Sequence, residues 1–167
     1  MLTADLLSYC YNYYWHNGIL LRKIYQPYSK TAKWISNVDN TIVQGIDNIP
    51  KTADILIISS SLKDVMCWRL LGYAAIAPNS ESTWIPQIVW EKLLNRYKHI
   101  VIFFDNDISG LASITKYSEA YHTLHTHIPL EYREKNVSDF IEKYGMVQTN
   151  QLIEYLFNAI SILSTNH

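Results

Sequence analysis

I-V-I-F-F-D-N-D-I-S-G-L, the stretch Ile100–Leu111, decides the fold class of this chain. Its first five residues are all apolar, and most are β-branched or aromatic, which predicts a strand buried on both faces, as in a parallel sheet. Asp105 and Asp107 follow that strand directly, and Gly110 lies two residues into the next predicted helix. Open α/β sheets bind their ligands at the carboxyl ends of the strands, so this stretch predicts a functional site at that edge.

Two interpretations of Asp105 and Asp107 are open from this stretch. Neighbouring carboxylates repel each other unless a cation neutralises them, and Mg²⁺ is commonly held by one or two carboxylates with waters and substrate phosphates. The pair is equally compatible with an Asp-Asn-Asp turn that caps the following helix. The first interpretation predicts a Mg²⁺ or Mn²⁺ site, and the second predicts only a helix start.

A regular alternation of strands and helices begins at residue 54. The predicted strands are Ile55–Ile58, Tyr73–Ala77, Ile100–Phe104 and Ile128–Tyr132. The predicted helices are Leu62–Leu71, Trp84–Tyr97 after an interruption at Pro86, Ile108–Leu124, a short helix opened by Lys135–Asp139 and ended by Gly145, and Leu152–Leu163. This order predicts an α/β fold over residues 54–145, with a four-stranded, mainly parallel sheet and helices on both faces, followed by a C-terminal helix in 146–167.

Residues 1–53 are predicted to form a small α+β element. Thr3 is predicted to cap a short helix that runs through Ser8 or beyond, which would make helix packing, rather than base stacking, the role of the aromatic residues 9–15. Asn17-Gly18 is a predicted turn, Ile19–Tyr25 a strand, and residues 38–53 a connector.

The densest positive patch of the chain lies in this element. It consists of Arg22, Lys23, Lys30 and Lys33, interleaved with Tyr28 and Trp34. Cations alternating with flat rings suit the phosphates and bases of single-stranded nucleic acid. A solvated hairpin explains the same residues without any ligand, so both interpretations are open.

Composition limits the classes of protein that this chain can be. With 167 residues, 49% hydrophobic and 17% charged, it should fold around a core. A net charge of −1 gives no overall attraction to nucleic acid. Cys10 and Cys67 are too few for a zinc ribbon and are predicted to be buried thiols. No apolar run approaches the roughly 20 residues of a membrane span, and no signal peptide is visible, so a cytoplasmic protein is expected (in the host cytoplasm if it is viral).

Three histidines, His122, His125 and His127, lie close together in the sequence. His122 and His125, at spacing i, i+3, could bind a metal. The favoured interpretation is that the three histidines lie at a helix end and in the strand that follows it.

Several segments together resemble a known family. The TOPRIM domain has a Glu-Gly-x-x-Asp element after its first strand and an Asp-x-Asp element after a later strand. This chain resembles it in the order of its segments, which is strand, S-S-S-L-K-D, helix, glycine, strand, helix and F-D-N-D-I-S-G. K-N-V-S-D at 135–139 resembles the downstream Lys-Asp-x-x-Asp segment of primases, and Y-Q-P-Y-S-K-T-A-K-W resembles the basic segment that precedes TOPRIM in them. The resemblance covers Ile19–Gly145 and is best to the polymerase core of a phage-type primase.

This resemblance implies Mg²⁺- or Mn²⁺-dependent primer synthesis from ribonucleotides on a single-stranded DNA template. Asp105 and Asp107 would bind the metal, with Glu81 or Asp139 completing the site. The phosphate contacts implied are Arg22, Lys23, Lys30, Lys33 and Lys63. A separate zinc-binding primase part and a replicative helicase are the implied partners. A non-catalytic nucleic-acid-binding subunit and a metal-dependent nuclease are the alternatives.

The chain departs from the TOPRIM pattern at Ser60, which stands where the family has its glutamate. Three explanations are open. The protein could be inactive and only bind nucleic acid, or Ser60 and Ser61 could hold phosphates at a helix amino terminus. Alternatively, another carboxylate could have replaced the glutamate. Glu81 is the candidate for this replacement, because it follows the next strand and should lie with Ser60 and Asp105 in one crevice. The competing interpretation is that Glu81 caps a helix starting near Thr83.

Overall fold

The computed structural model describes residues 8–16 and 19–164 and contains two sheets. The strands are β1 (Tyr9–His16), β2 (Ile19–Tyr25), β3 (Trp34–Ser36), β4 (Val43–Gln44), β5 (Ala53–Ser59), β6 (Ala74–Pro78), β7 (Tyr97–Phe103) and β8 (Leu124–His125). The helices are α1 (Leu62–Leu70), α2 (Gln87–Leu94), α3 (Ile108–Tyr121) and α4 (Val137–Ser164), with a short 3₁₀ turn at Ile46–Asn48. The predicted α/β fold is confirmed.

The larger sheet has the strand order β4-β6-β5-β7-β8. Strands β6, β5, β7 and β8 are parallel, and β4 is antiparallel to β6 at one edge. The apolar runs of β5 and β7 pair along six positions, with Ile57 opposite Val101. Both strands are covered on two faces, which explains why their apolar residues are continuous and do not alternate with polar ones.

Two details of this sheet differ from the prediction. Strand β4 comes from the predicted connector, where Val43 is buried and pairs with Pro78, so the sheet has five strands and not four. The last strand is β8, upstream of the predicted Ile128–Tyr132. The later segment turns because Pro129 has no N–H to donate to a ladder, and its carbonyl accepts the Tyr132 N–H at 3.0 Å.

The helices cover the two faces of the larger sheet in pairs. Helices α2 and α3 pack on one face, and α1 and α4 on the other. The first layer is centred on Trp90, Leu93, Ile114 and Tyr117, and the second on Val65, Trp68, Phe140, Ile153 and Phe157. With both faces of this sheet buried, its own side chains reach solvent mainly at the strand ends.

Helix α4 is interrupted at Gly145, where the backbone has φ 78°. Such a left-handed residue ends an α-helix, and glycine adopts it without steric cost. The predicted helix end at this glycine is confirmed. Among the described residues, no helix is both long enough and apolar enough to cross a membrane.

The smaller sheet is an antiparallel arrangement of β1, β2 and β3. The predicted helix in the aromatic segment is wrong at residues 9–16, which form β1, because Tyr and Trp favour strands and β2 satisfies their backbone groups. The predicted Thr3 cap and the Asn17-Gly18 turn lie outside the described residues. Cys67 is half-buried, and Cys10 is exposed, contrary to the prediction that both thiols are buried.

Candidate active site

Three neighbouring strands end at the same edge of the larger sheet, and each is followed by polar residues. Ser60 and Ser61 follow β5, Glu81 lies in the loop after β6, and Asp105 and Asp107 follow β7. The start of α4 brings a fourth segment, residues 135–139, to the same place.

Asp105 lies at the centre of this edge and is held by two neutral donors. The Ser60 hydroxyl donates to Oδ1 of Asp105 at 2.6 Å, and the Asn136 amide donates to Oδ2 at 3.3 Å. Burial raises the pKa of Asp105, against the opposing effect of these two hydrogen bonds. Its carboxylate is therefore oriented by Ser60 and Asn136, and it forms no ion pair with a lysine or arginine of the described part of the chain.

Asp64 is a buried carboxylate beside Asp105, and only 1% of it is exposed. Its backbone N–H is capped by the Ser61 hydroxyl at 3.3 Å, and its Oδ2 accepts from Ser61 at 2.5 Å. Its Oδ1 accepts the backbone N–H of Ser138 at 3.3 Å, which connects α1 to the start of α4. With the hydroxyls of Ser60 and Ser61 directed at carboxylates, the phosphate-binding role of these serines stays a prediction.

Asp107 caps helix α3, so the capping interpretation holds for this residue. Its Oδ1 accepts the Gly110 N–H at 3.0 Å, and its Oδ2 pairs with the ammonium of Lys135 at 3.1 Å. These two partners lower the pKa of Asp107. Asp105 makes no such cap, so the two aspartates of the motif have different environments.

Gly110 brings the first turn of α3 against the end of β7. A Cβ atom at this position would lie 2.0 Å from the Asp105 carbonyl oxygen and 2.7 Å from its carbonyl carbon. The glycine in F-D-N-D-I-S-G is therefore required for a close backbone approach, which the sequence alone did not reveal.

Glu81 lies beside Asp105, and its Oε1 is 3.4 Å from the Asp105 backbone nitrogen. The helix-capping interpretation of Glu81 is wrong, because α2 starts only at Gln87 and has no side-chain cap. Burial and the Asp105 carboxylate raise the pKa of Glu81 to about 7. The structure thus brings together Ser60, Glu81 and Asp105, while the metal and catalytic roles of these residues stay predictions.

Asp139 completes the acidic edge and pairs with Lys63 at 3.2 Å. Lys63 and Lys135 are thus engaged with Asp139 and Asp107, and Asp105 has neither lysine as a partner. Within the described ranges, no three His, Cys, Asp or Glu side chains already converge as a metal cage. His122 is the C-cap of α3 and His125 lies in β8, so the favoured interpretation of a helix end followed by a strand is confirmed for these two residues.

The donor set at this edge nevertheless fits Mg²⁺. The carboxylates of Asp64, Glu81, Asp105, Asp107 and Asp139 exceed the two lysines beside them, and oxygen is the ligand atom that Mg²⁺ prefers. The raised pKa of Glu81 has uncompensated neighbouring carboxylates among its causes. A divalent cation would supply the missing positive charge.

The predicted basic patch lies on the smaller sheet and the loop between β2 and β3. Arg22, Lys30 and Lys33 are exposed. Lys23 instead donates to the Asn79 carbonyl at 2.7 Å, lies over the Trp34 ring, and has its pKa lowered by burial. Lys23 therefore attaches the smaller sheet to the loop after β6, and it differs in environment from the other three.

Sequence reasoning left Asn136, Lys135 and Asp64 out of the candidate site. Asn136 and Lys135 belong to the K-N-V-S-D segment, in which Asp139 is the only predicted site residue. Asp64 is the aspartate of S-S-S-L-K-D, the segment that resembles the first TOPRIM element. All three residues lie in segments that resemble the primase pattern, so the sequence could have indicated them. Their contacts, Asn136 with Asp105, Lys135 with Asp107 and Asp64 with Ser138, are seen only in the structure.

No protein-family model and no curated protein matches this chain. Solved structures do match. A chain in the structure of bacteriophage T7 lagging-strand DNA polymerase with primase domains of two gp4 subunits, bound to an RNA/DNA hybrid and dTTP, is 13% identical. The match covers 84% of this chain and 78% of that one, with a TM-score of 0.56.

Two further primase structures match in the same way. The DnaG primase catalytic domain bound to single-stranded DNA is 15% identical, with a TM-score of 0.60 over 84% of this chain and 50% of that one. The Aquifex aeolicus primase, solved with its zinc-binding and RNA polymerase domains, is 15% identical, with a TM-score of 0.58 over 81% of this chain and 36% of that one. This chain therefore spans half or less of these two proteins, and its fold is that of primase catalytic domains.

Proposed function

We propose that this chain is the catalytic core of a primase-type nucleotidyltransferase that makes primers from ribonucleotides on single-stranded DNA. The observation that carries the proposal is the cluster of carboxylates around Asp105, at the carboxyl edge of a sheet with the fold of primase catalytic domains. Ligands bind at this edge in open α/β sheets, and acidic residues with uncompensated charge are unexpected there unless a cation joins them.

In this proposal Asp105 and Asp107 hold Mg²⁺ or Mn²⁺. Asp139 becomes a further ligand of the metal when Lys63, its ion-pair partner, moves to a phosphate of the nucleotide. When bound, the metal supplies Lewis-acid activation of the attacking 3′-hydroxyl and charge neutralisation at the departing pyrophosphate. Lys63 and Lys135 lie beside the acids and contact the phosphates of the incoming nucleotide. Ser60 and Asn136 keep the Asp105 carboxylate in one orientation.

The template contacts in this proposal lie on the smaller sheet. Arg22, Lys30 and Lys33 are exposed there, and the rings of Trp34 and Tyr28 are 47% and 71% exposed. Exposed rings next to cations suit base stacking and phosphate contact. A separate zinc-binding primase part would supply template recognition, since this chain has only two cysteines, and a replicative helicase is the further proposed partner.

A second candidate is a non-catalytic single-stranded DNA-binding subunit. The observation that favours it is the neutral character of Ser60 and Asn136, at positions where the TOPRIM pattern and its downstream segment have Glu and Asp. Both donate to Asp105, which lowers the need for a metal at that carboxylate.

One experiment separates these functions. The protein is incubated with labelled single-stranded DNA, ribonucleotides and Mg²⁺, beside the Asp105→Asn, Asp107→Asn double variant. Asp54→Asn is the control, because Asp54 is exposed near the start of β5, at the end of the sheet opposite to Asp105. New RNA products from the wild type and from the control, but not from the double variant, support the proposal. A mobility shift without products indicates the binding subunit, and shortened DNA indicates a nuclease.

A further inference from the structure

The loop between β6 and α2 is held in place from three directions. Gln44 of β4 donates to the carbonyl of Pro78, the last residue of β6, at 2.5 Å and to the Asn79 carbonyl at 3.5 Å. Lys23 of the smaller sheet donates to the same Asn79 carbonyl at 2.7 Å. The hydroxyl of Tyr117 in α3 donates to the Thr83 carbonyl. Each contact joins the loop to a different element, so its path over the sheet edge is determined by the tertiary structure.

Within the loop, residues 80–83 close into a turn. The Ser80 N–H donates to Oγ1 of Thr83 at 3.0 Å, and the Thr83 N–H donates to the Ser80 carbonyl at 3.0 Å. Glu81 lies inside this turn, with its carboxylate 3.4 Å from the backbone nitrogen of Asp105. A flexible surface glutamate would make no contact of this kind, whereas this one is presented to the acidic edge by a built loop.

Ser60 follows β5, which lies between β6 and β7 in the sheet, and it is not available to act as an acid. Its side chain is neutral, and its single hydroxyl proton is donated to Asp105 at 2.6 Å. The carboxylate that accepts the Asp105 backbone N–H therefore comes from the loop after β6, and not from the end of β5.

We infer that Glu81 is a metal-ligating carboxylate of this site, and that it replaces the acid that position 60 does not provide. This inference rests on the proposed function and names a ligand for the same site. The acid would have moved from the end of β5 to the loop after β6, with Ser60 becoming a residue that positions Asp105. The charge of the site is then maintained by a different part of the chain.

Mn²⁺ binding, measured by titration calorimetry in the absence of nucleotide, tests the inference without an activity readout. Glu81→Gln should weaken Mn²⁺ binding by at least about tenfold, a loss typical of damage to a metal site. Glu119→Gln is the matched control, since Glu119 is exposed in α3, and it should bind Mn²⁺ like the wild type. Adding Ser60→Glu to Glu81→Gln should recover most of the affinity, because it returns a carboxylate to the end of β5.

The outcomes separate this inference from the proposed function. Glu81→Gln with wild-type Mn²⁺ affinity, beside a loss of binding in Asp105→Asn, would overturn the role of Glu81 and leave the metal site in place. Unchanged binding in both variants would overturn the metal site and the inference together. Glutamine retains an oxygen that can accept the Asp105 N–H, so Glu81→Gln is expected to fold, and circular dichroism checks this.

Discussion

The Cα of Gly110 lies against the backbone of Asp105 so closely that a Cβ atom would come within 2.0 Å of the Asp105 carbonyl oxygen. The contact is between backbone atoms and involves no flexible side chain that could move aside. It explains why a glycine follows the two aspartates at this spacing, since the first turn of α3 lies directly over the end of β7.

Gly110→Ala should therefore destabilise the protein by roughly 1–3 kcal/mol, the usual cost of forcing extra atoms into a packed site. At an ordinary helical position the same change has the opposite effect on the free energy of unfolding, because alanine is more stabilising than glycine there by roughly 0.5–1 kcal/mol. Urea denaturation measures the difference, with Ser109→Ala, an exposed neighbour in the same turn, as the control. Equal or greater stability of Gly110→Ala would show that the backbone can separate at this point.

Stability of the metal-free protein should fall as the pH rises through the range in which Glu81 titrates. Its pKa is raised from 4.5 to about 7 in the folded chain, so between these values the folded state holds a proton that the unfolded chain releases. The favourable contribution is complete below about pH 4.5, declines towards pH 7 and is lost above it.

Urea denaturation in EDTA at pH 5 and pH 8 measures this effect. Glu81→Gln should reduce the difference between the two pH values and should be the more stable protein at pH 8, whereas Glu119→Gln should behave like the wild type. The comparison with the wild type is needed because the pKa of Asp105 is also raised. An unchanged pH dependence in Glu81→Gln would contradict the raised pKa.

Charge reversal at Lys30 and Lys33 should weaken single-stranded DNA binding and reduce its salt dependence. Each lost phosphate contact on a single strand lowers the slope of log affinity against log salt by about 0.7. Fluorescence anisotropy over a salt series gives the slope. The control is the double variant Lys92→Glu, Lys98→Glu, which makes the same charge change at exposed positions away from the patch.

Equal slopes for the two double variants would show that Lys30 and Lys33 are only solvated. Lys23 is omitted from the test because its ammonium holds the loop after β6, so its replacement would change structure as well as charge.

The sequence determined the central strand, the acidic edge and the α/β class, because these depend on local patterns. The apolar run before Asp105 can be buried on both faces only in a sheet covered by two layers of helices. The helix start predicted at Leu62 and the helix end predicted at Gly145 also depend on local patterns, and both are found there.

Only the tertiary structure decided which residues surround Asp105. Ser60, Glu81 and Asn136 are 45, 24 and 31 positions away from it in the chain, and no local pattern states that their side chains meet. The same holds for the aromatic segment that forms β1, whose strand conformation depends on pairing with β2. Long-range packing sets these contacts, because each depends on where several strands and loops end in space and not on the residues beside it in the sequence.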